Sequence, residues 1–402
     1  MAEFLDFKWQ KAALLIPINS AMRLLIASLL FCSIAVAQEV RPALPANPAP
    51  TPGWDEIAKF LAGYPLPPGS VLLRLQESPQ GQAHAAAFEK MWSRYNEHYF
   101  TPMRAWSAAE LSPRIPSTAP LFYFFSGPDA LGALAFFPSA NDYLLGGLEP
   151  VGNLPTPWTL PAEHLAPALE NLRTSTDVIL NFGHFITKEM KSDLTTSEFR
   201  GVLPVLMTFL AMTGAEVLDV CFFGVDKNGA VQETGLSPSG EGLLPGVRVT
   251  FRRDALSGPQ RIHYVQANVA DDSLSRGLLT WAGGFGKGNV YLKAASYLLH
   301  ENFFSKIRTF LLDQAVSVLQ DDSGIPLPFF LNGDWRCWFF GTYTGTLDIF
   351  KKYEQPQLAD AMRLQASPLP FGTGYKWRLG ESNLLLAIRE APLRAEPVIA
   401  PY

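Results

Sequence analysis

The run Ala119–Gly152, APLFYFFSGPDALGALAFFPSANDYLLGGLEPVG, limits the folds open to this chain more than any other stretch. Five consecutive apolar residues, Leu121 to Phe125, stop abruptly at Ser126-Gly127-Pro128. A run that short suits a strand buried on both faces rather than a helix. Pro128 can then open a short helix through Asp129-Ala130-Leu131, and Tyr143 to Leu145 reads as a second strand closed by Gly146-Gly147. Strand, turn, helix, strand is the grammar of an α/β unit. Ligands in such units collect beyond the carboxyl ends of strands. Ser126 and Asp129 fall at that edge, and Glu149 follows the second strand in the same sense.

On either side the pattern alternates between helix and strand. Trp54 to Gly63 reads as a short helix. Phe88, Met91, Trp92, Tyr95 and Tyr99 recur at intervals of three and four, which marks an amphipathic helix with an aromatic core stripe. Thr101-Pro102 then reads as the cap and first residue of a separate helix through Trp106 to about Leu111. A helical stretch interrupted at Pro167 follows Thr159, and Val202 to Met212, apolar nearly all round, reads as a core helix. From Ala215 the period becomes two. Glu216 to Val225, the turn Asp226-Lys227-Asn228-Gly229, the alternation of Val247, Val249 and Phe251 with Arg248, Thr250 and Arg252, and Arg261 to Val269 predict an antiparallel meander of about four strands. Trp281 to Asn289 reads as a glycine-rich loop, and Glu301 to Leu319 as a second amphipathic helix burying Phe303, Phe304, Ile307, Leu311, Ala315 and Val318. Tyr375 to Trp377 and Leu384 to Ile388 read as closing strands. The expected fold is therefore α+β (mixed α/β), with helices packed on a mixed sheet and an antiparallel meander in the middle third.

The amino terminus carries an export signature. Met22-Arg23 gives a positive start, Leu24 to Phe31 an apolar run, and Ala35-Val36-Ala37 a small-x-small cleavage site. That is the layout of a secretory signal peptide, with residues 1–21 as an upstream extension if Met22 is the true start. The apolar run is shorter than the ~20 residues of a spanning helix. Residues 38–53 form a proline-rich tether, 54–390 a single large domain and 391–402 a loose tail. Loss of residues 1–37 removes three bases and two acids, taking the net charge from −5 to −6. A mildly acidic chain without a basic cluster is a poor candidate for nucleic acid. The expected location is periplasmic or secreted, with no integral membrane segment after signal removal. Of the cysteines only Cys221 and Cys337 remain, each inside an apolar run, and two buried free thiols are expected.

Catalytic and cofactor motifs fail on their details. In GGFGKG (283–288), Trp281 replaces the first glycine of a P-loop and Gly288 its Ser/Thr, so a turn is expected, although Lys287 and the backbone could cup an anion. The six histidines never form an HxH or HxxxH pair, so neither metal nor cofactor is expected. No G-x-S-x-G occurs, and Phe124 stands where Ser126 would need a preceding glycine. The acids are more informative. Asp321 and Asp322 would follow the carboxyl end of the long predicted helix, where each is unfavourable by ~0.3–1 kcal/mol. Turn chemistry in Asp-Ser-Gly explains them; so does an acid–base or cation site. Trp335, Trp338, Phe339, Phe340 and Tyr343 pack five aromatics into nine residues and could stack on sugar rings or an apolar ligand.

Two function classes follow. One is an exported, non-catalytic binding or interaction protein for a small molecule, glycan or protein, using Trp335, Trp338, Tyr343 and Ser126. The other is an exported hydrolase with Asp129, Glu149, Asp321 and Asp322 as acid, base or metal ligands. A carboxylate pair within ~6–10 Å in one pocket would favour the second.

Overall fold

The computed structural model describes residues 51–182, 198–238 and 240–390. The export signal, Met22, most of the tether and the tail from 391 lie outside the described residues.

Among the described residues, ten strands form one mixed sheet. In chain order they are β1 (Leu121–Tyr123), β2 (Asp142–Gly147), β3 (Glu216–Val225), β4 (Val231–Gly235), β5 (Leu244–Arg252), β6 (Gln260–Gln266), β7 (Gly288–Leu292), β8 (Ala315–Gln320), β9 (Trp335–Gly341) and β10 (Asn383–Arg389). The order across the sheet is β4-β3-β5-β6-β2-β1-β7-β8-β10-β9. The five inner strands from β6 to β8 are parallel, and antiparallel pairs extend both edges. Inner strands are buried on both faces, so their sequences (LFY, GNVYL, AVSVLQ) run apolar without alternating. The fold is α+β, with helices packed on a mixed sheet.

Each strand divides its side chains between two cores. Leu121 and Tyr123 of β1, Tyr143 and Leu145 of β2 and Tyr291 of β7 enter one. Phe122, Leu144, Val290 and Leu292 enter the other. The first core is covered by the helices Trp54–Leu61, Pro79–Tyr95, Ala130–Phe136 and Val202–Met212, the last buried along its whole length as its composition predicts. The second is covered by Arg276–Gly283, Ser305–Gln314 and Pro356–Gln365. The helix joining β1 to β2 and the helix joining β7 to β8 therefore lie on opposite faces. Since β1 and β7 are neighbours, a topological switch point lies between them. Among the described residues no helix is long and apolar enough to cross a membrane.

Several elements differ from expectation. Thr101-Pro102 does not start a new helix. The chain stays helical from Pro79 to Leu111, with π-turns at Asn96–Phe100 and Ser107–Leu111. A widened turn accommodates a proline that brings no N–H to the ladder. Pro167 likewise lies inside a continuous helix, Ala162–Phe182. The glycine-rich segment is the end of one helix and the start of β7, and Lys287 Nζ donates to the Asp313 carbonyl near the end of the helix Ser305–Gln314. The predicted helix Glu301–Leu319 is α-helical only over Ser305–Gln314 and then becomes β8. A strand buried on both faces places apolar residues at both parities, which imitates a helical stripe. Tyr375–Trp377 lies in a turn closed by a Thr373–Lys376 bridge rather than in a strand.

Cys221 and Cys337 are free thiols on β3 and β9. Eight strand spacings of about 4.8 Å separate those strands across the sheet, roughly 38 Å, far beyond the reach of a disulfide.

Candidate functional site

Four parallel strands end on one cavity of about 160 Å³. Its lining comes from the segments that leave β1 (Phe124 to Asp129), β2 (Gly147 to Glu149), β6 (Ala267 to Val269) and β7 (Lys293 and Ala294), with the buried Phe304 and the partly exposed Leu298 completing it. The cavity thus occupies the carboxyl edge of the sheet at the switch point. Its walls are mainly apolar.

The polar end is built on Asp129, which stands just before the helix Ala130–Phe136 yet makes no capping hydrogen bond. Its carboxylate turns instead to Lys293 and Tyr123. Lys293 Nζ forms an ion pair with Oδ2, and the Tyr123 hydroxyl donates to the same oxygen at 3.0 Å. Both charged side chains are almost fully buried, with exposures of 4 % for Lys293 and 3 % for Asp129. Oδ1 of Asp129 has no hydrogen-bond partner among the described residues. Buried polar atoms are rarely left so. Burial, then the Asp129 charge, pushes the Tyr123 phenol well above its ordinary range, so it remains a donor.

Glu149 lines the same cavity. Its backbone carbonyl accepts from Tyr264 Oη at 2.7 Å. Its carboxylate rests against Gly127 and Gly147: a Cβ on Gly147 would stand 2.4 Å from Glu149 Oε2 and 3.0 Å from the Gly127 Cα. Gly127 has φ +51°, so two glycines are required here, one for its backbone and one for the close approach. Ser126 also lines the cavity, but its hydroxyl accepts from Gly146 N at 3.2 Å and donates to the Gly127 carbonyl at 2.8 Å. That bonding ties β1 to β2.

Asp321 and Asp322 follow β8, not a helix end, so the expected conflict with a helix dipole does not arise. They lie beyond the next strand and are not among the residues lining the cavity. Asp321 accepts from Ser323 N and Ala294 N, both at 3.0 Å, and Asp322 from Tyr297 Oη and from Asn383 Nδ2 at 3.0 Å. The turn chemistry expected of Asp-Ser-Gly is present at Asp321, whose second bond reaches across to the segment leaving β7. Burial, then the neighbouring Asp322 charge, raises the proton affinity of Asp321 well above the usual carboxylate range. Burial raises that of Asp322 as well.

The Asp321–Ala294 bond holds an unusual backbone. Ala294 has φ +59° and ψ −91°, the single non-glycine residue with positive φ among those described. Such a conformation costs about 1–3 kcal/mol and persists where surrounding contacts impose it. It turns the chain sharply after Lys293, leaving the ammonium pointed at Asp129.

The aromatic run divides instead of gathering. On β9, Trp335 and Phe339 enter one core, and Trp338 and Phe340 face the other. Trp335 packs on Phe330 and under the Arg389 guanidinium; Trp338 is flanked by Arg336 and Arg114. Tyr343 accepts from Gln355 N at 3.1 Å. Lys293 is the site residue that sequence reasoning does not single out. The available signal is a lysine between two apolar runs, VYL and AASYLL, since lysine is almost never fully buried without a partner. Among the described residues no cluster of three or more His, Cys, Asp or Glu could hold a metal ion.

Comparison with protein-family models, with curated proteins and with solved structures gave no match to this chain.

Proposed function

We propose that this chain is an exported, non-catalytic binding protein for a small molecule, held in the cavity beyond β1, β2, β6 and β7. The observation that carries the reading is the cavity at the switch point, with mainly apolar walls and the buried Asp129–Lys293 pair and Glu149 among its few polar groups. Ligand sites combine apolar walls with a few placed polar groups, and this cavity has that composition. Its size suits a small molecule rather than a glycan chain or a protein surface. Export rests on the signal at 22–37, so the mature chain would begin at Gln38.

The alternative, an exported hydrolase with a carboxylate pair, draws on the raised proton affinity of Asp321 and Asp322. Both are engaged by protein donors and neither lines the cavity, which weighs against them as acid and base.

A thermal-shift screen of the mature protein tests the reading. A cavity ligand at 100 times its Kd stabilises by ~2.7 kcal/mol. Hits that lose their effect in Leu298→Arg, at the cavity mouth, support it. Hits unaffected by that change, or turnover of ester or glycoside substrates abolished by Asp321→Asn, count against it. Mass spectrometry of exported protein retaining Met1 would remove the export element.

A further inference from the structure

Resting on the binding reading above, we infer that the ligand is an amphiphile held by its hydrocarbon end: about six carbons fill the cavity, and the polar head stays in solvent. Three observations converge on this class. The first is that the polar groups around the cavity are spent on the protein itself. Oδ2 of Asp129 receives both the Tyr123 hydroxyl and the Lys293 ammonium, and Oδ1 is closed to solvent. The Ser126 hydroxyl is bonded to Gly127 and Gly146. Glu149 is 4 % exposed, and its Oε2 lies against Gly127 and Gly147 and 3.5 Å from the Tyr264 hydroxyl. A polar group brought inside would lose its water and find these partners taken.

The second is the set of charged groups in the lining. Asp129 and Glu149 place two buried carboxyl groups around the single ammonium of Lys293. A ligand carboxylate or phosphate inside would sit among acceptors, with that ammonium already paired to Asp129. A ligand ammonium inside would have to displace Lys293 or reach a Glu149 oxygen boxed in by two glycines. In a poorly screened interior either arrangement is costly. A hydrocarbon end asks for neither.

The third is the size of the cavity and the character of its exposed lining. The volume of about 160 Å³ is close to the ~150 Å³ at which an apolar cavity takes the six carbons of benzene. Phe124, Phe125, Phe304 and Val269 offer the apolar walls. The exposed residues of the lining are Leu148, Asn268 and Leu298, and none of them carries a charge. A head left in water beside them keeps its hydration and meets no fixed counter-charge in the lining, so its sign should matter little.

Calorimetric titration of the whole mature protein with alkyl probes, each kept below micelle formation, tests this. From butyl through pentyl to hexyl glucoside the affinity is expected to rise about fourfold per methylene, and from hexyl to nonyl glucoside to rise less than twofold per methylene. Hexyl sulfate and hexyltrimethylammonium should bind within threefold of hexyl glucoside and compete with it, and glucose should not bind. Either charged probe binding more than tenfold tighter than hexyl glucoside would overturn the placement of the head, because a group inside the cavity would then be reading charge. An affinity unchanged from butyl to hexyl would overturn the hydrocarbon end. Failure of every alkyl probe, while other hits of the thermal-shift screen lose their effect in Leu298→Arg, would overturn the amphiphile and keep the cavity as a binding site. Failure of both would remove the binding reading itself. The probe comparison needs no variant, so it stands whatever a substitution does to folding.

Discussion

Changing Asp129 and Lys293 singly and together separates what the buried pair does for stability from what it does for the cavity. Asp129→Asn leaves the Lys293 ammonium, 4 % exposed, against a neutral amide. Removing one member of a buried pair costs about 3–5 kcal/mol. Lys293→Met leaves the carboxylate buried with the Tyr123 hydroxyl still donating to it, so its cost should lie near the lower end, about 3 kcal/mol. Independent effects would sum to about 6–8 kcal/mol. In the double variant both charges are gone, the oxygen of the introduced amide still accepts from Tyr123, and the residual cost is one poorly placed amide N–H, about 1–2 kcal/mol. The expected coupling is therefore about 4 kcal/mol or more. Urea denaturation followed by tryptophan fluorescence reads this directly, since a slope near ~3 kcal/mol/M turns each single change into a midpoint shift of about 1 M or more and the double into roughly half that. A double variant destabilised by the sum of the singles, within about 0.5 kcal/mol, would refute the claim that the two charges are held as a unit.

Ala294→Gly should leave stability unchanged or raised, against the ~0.5–1 kcal/mol that such a change usually costs, because it relieves the positive φ; Ala294→Val should be strongly destabilising, and equal loss in both by thermal melting would contradict the strain argument. Burial holds the proton on Asp321, so the native state binds it more tightly than the unfolded chain. Its contribution to stability should accordingly be full below the ordinary aspartate range near pH ~4 and be lost as pH rises to the raised value, against the opposite slope from His84, His263 and His300, whose proton affinity desolvation lowers; wild-type minus Asp321→Asn urea midpoints should therefore fall over that window, and a difference that rises would reverse the sign. Gly147→Ala drives a Cβ into the Glu149 carboxylate and the Gly127 backbone, so it should cost about 1–3 kcal/mol and abolish cavity binding; unchanged calorimetry would show that the Glu149 wall is not part of the site.

Local chemistry makes some of this molecule legible in the chain. The unit Leu121–Gly147 can be read as strand, turn, helix, strand because Ser126-Gly127-Pro128 and Gly146-Gly147 punctuate it. Val202–Met212 can be read as a core helix because it is apolar on every side. Reading fails where burial on both faces erases the period. Ala315–Gln320 passes for the end of a helix, and β7 disappears into a glycine-rich run. Those two strands lie beside the switch point, so the error reaches the site: it sets Asp321 and Asp322 at a helix end and leaves Lys293 unnoticed. The aromatic run 335–343 shows the converse. It is dense in sequence, but the alternation of β9 sends neighbouring rings to opposite cores.

By itself the sequence determined the α+β class, the export signal as an expectation, the meander from Glu216, and Ser126, Asp129 and Glu149 as residues at strand ends. Those follow from periodicity and turn residues, which act over a few positions. Only the tertiary structure decided which strand ends meet. Strand order brings β7 beside β1, although the whole meander and the helix Val202–Met212 intervene in the chain. Nothing local in either segment records that adjacency. The pairing of Lys293 with Asp129 arises from it: burial makes each charge depend on the other, and the sheet brings them together.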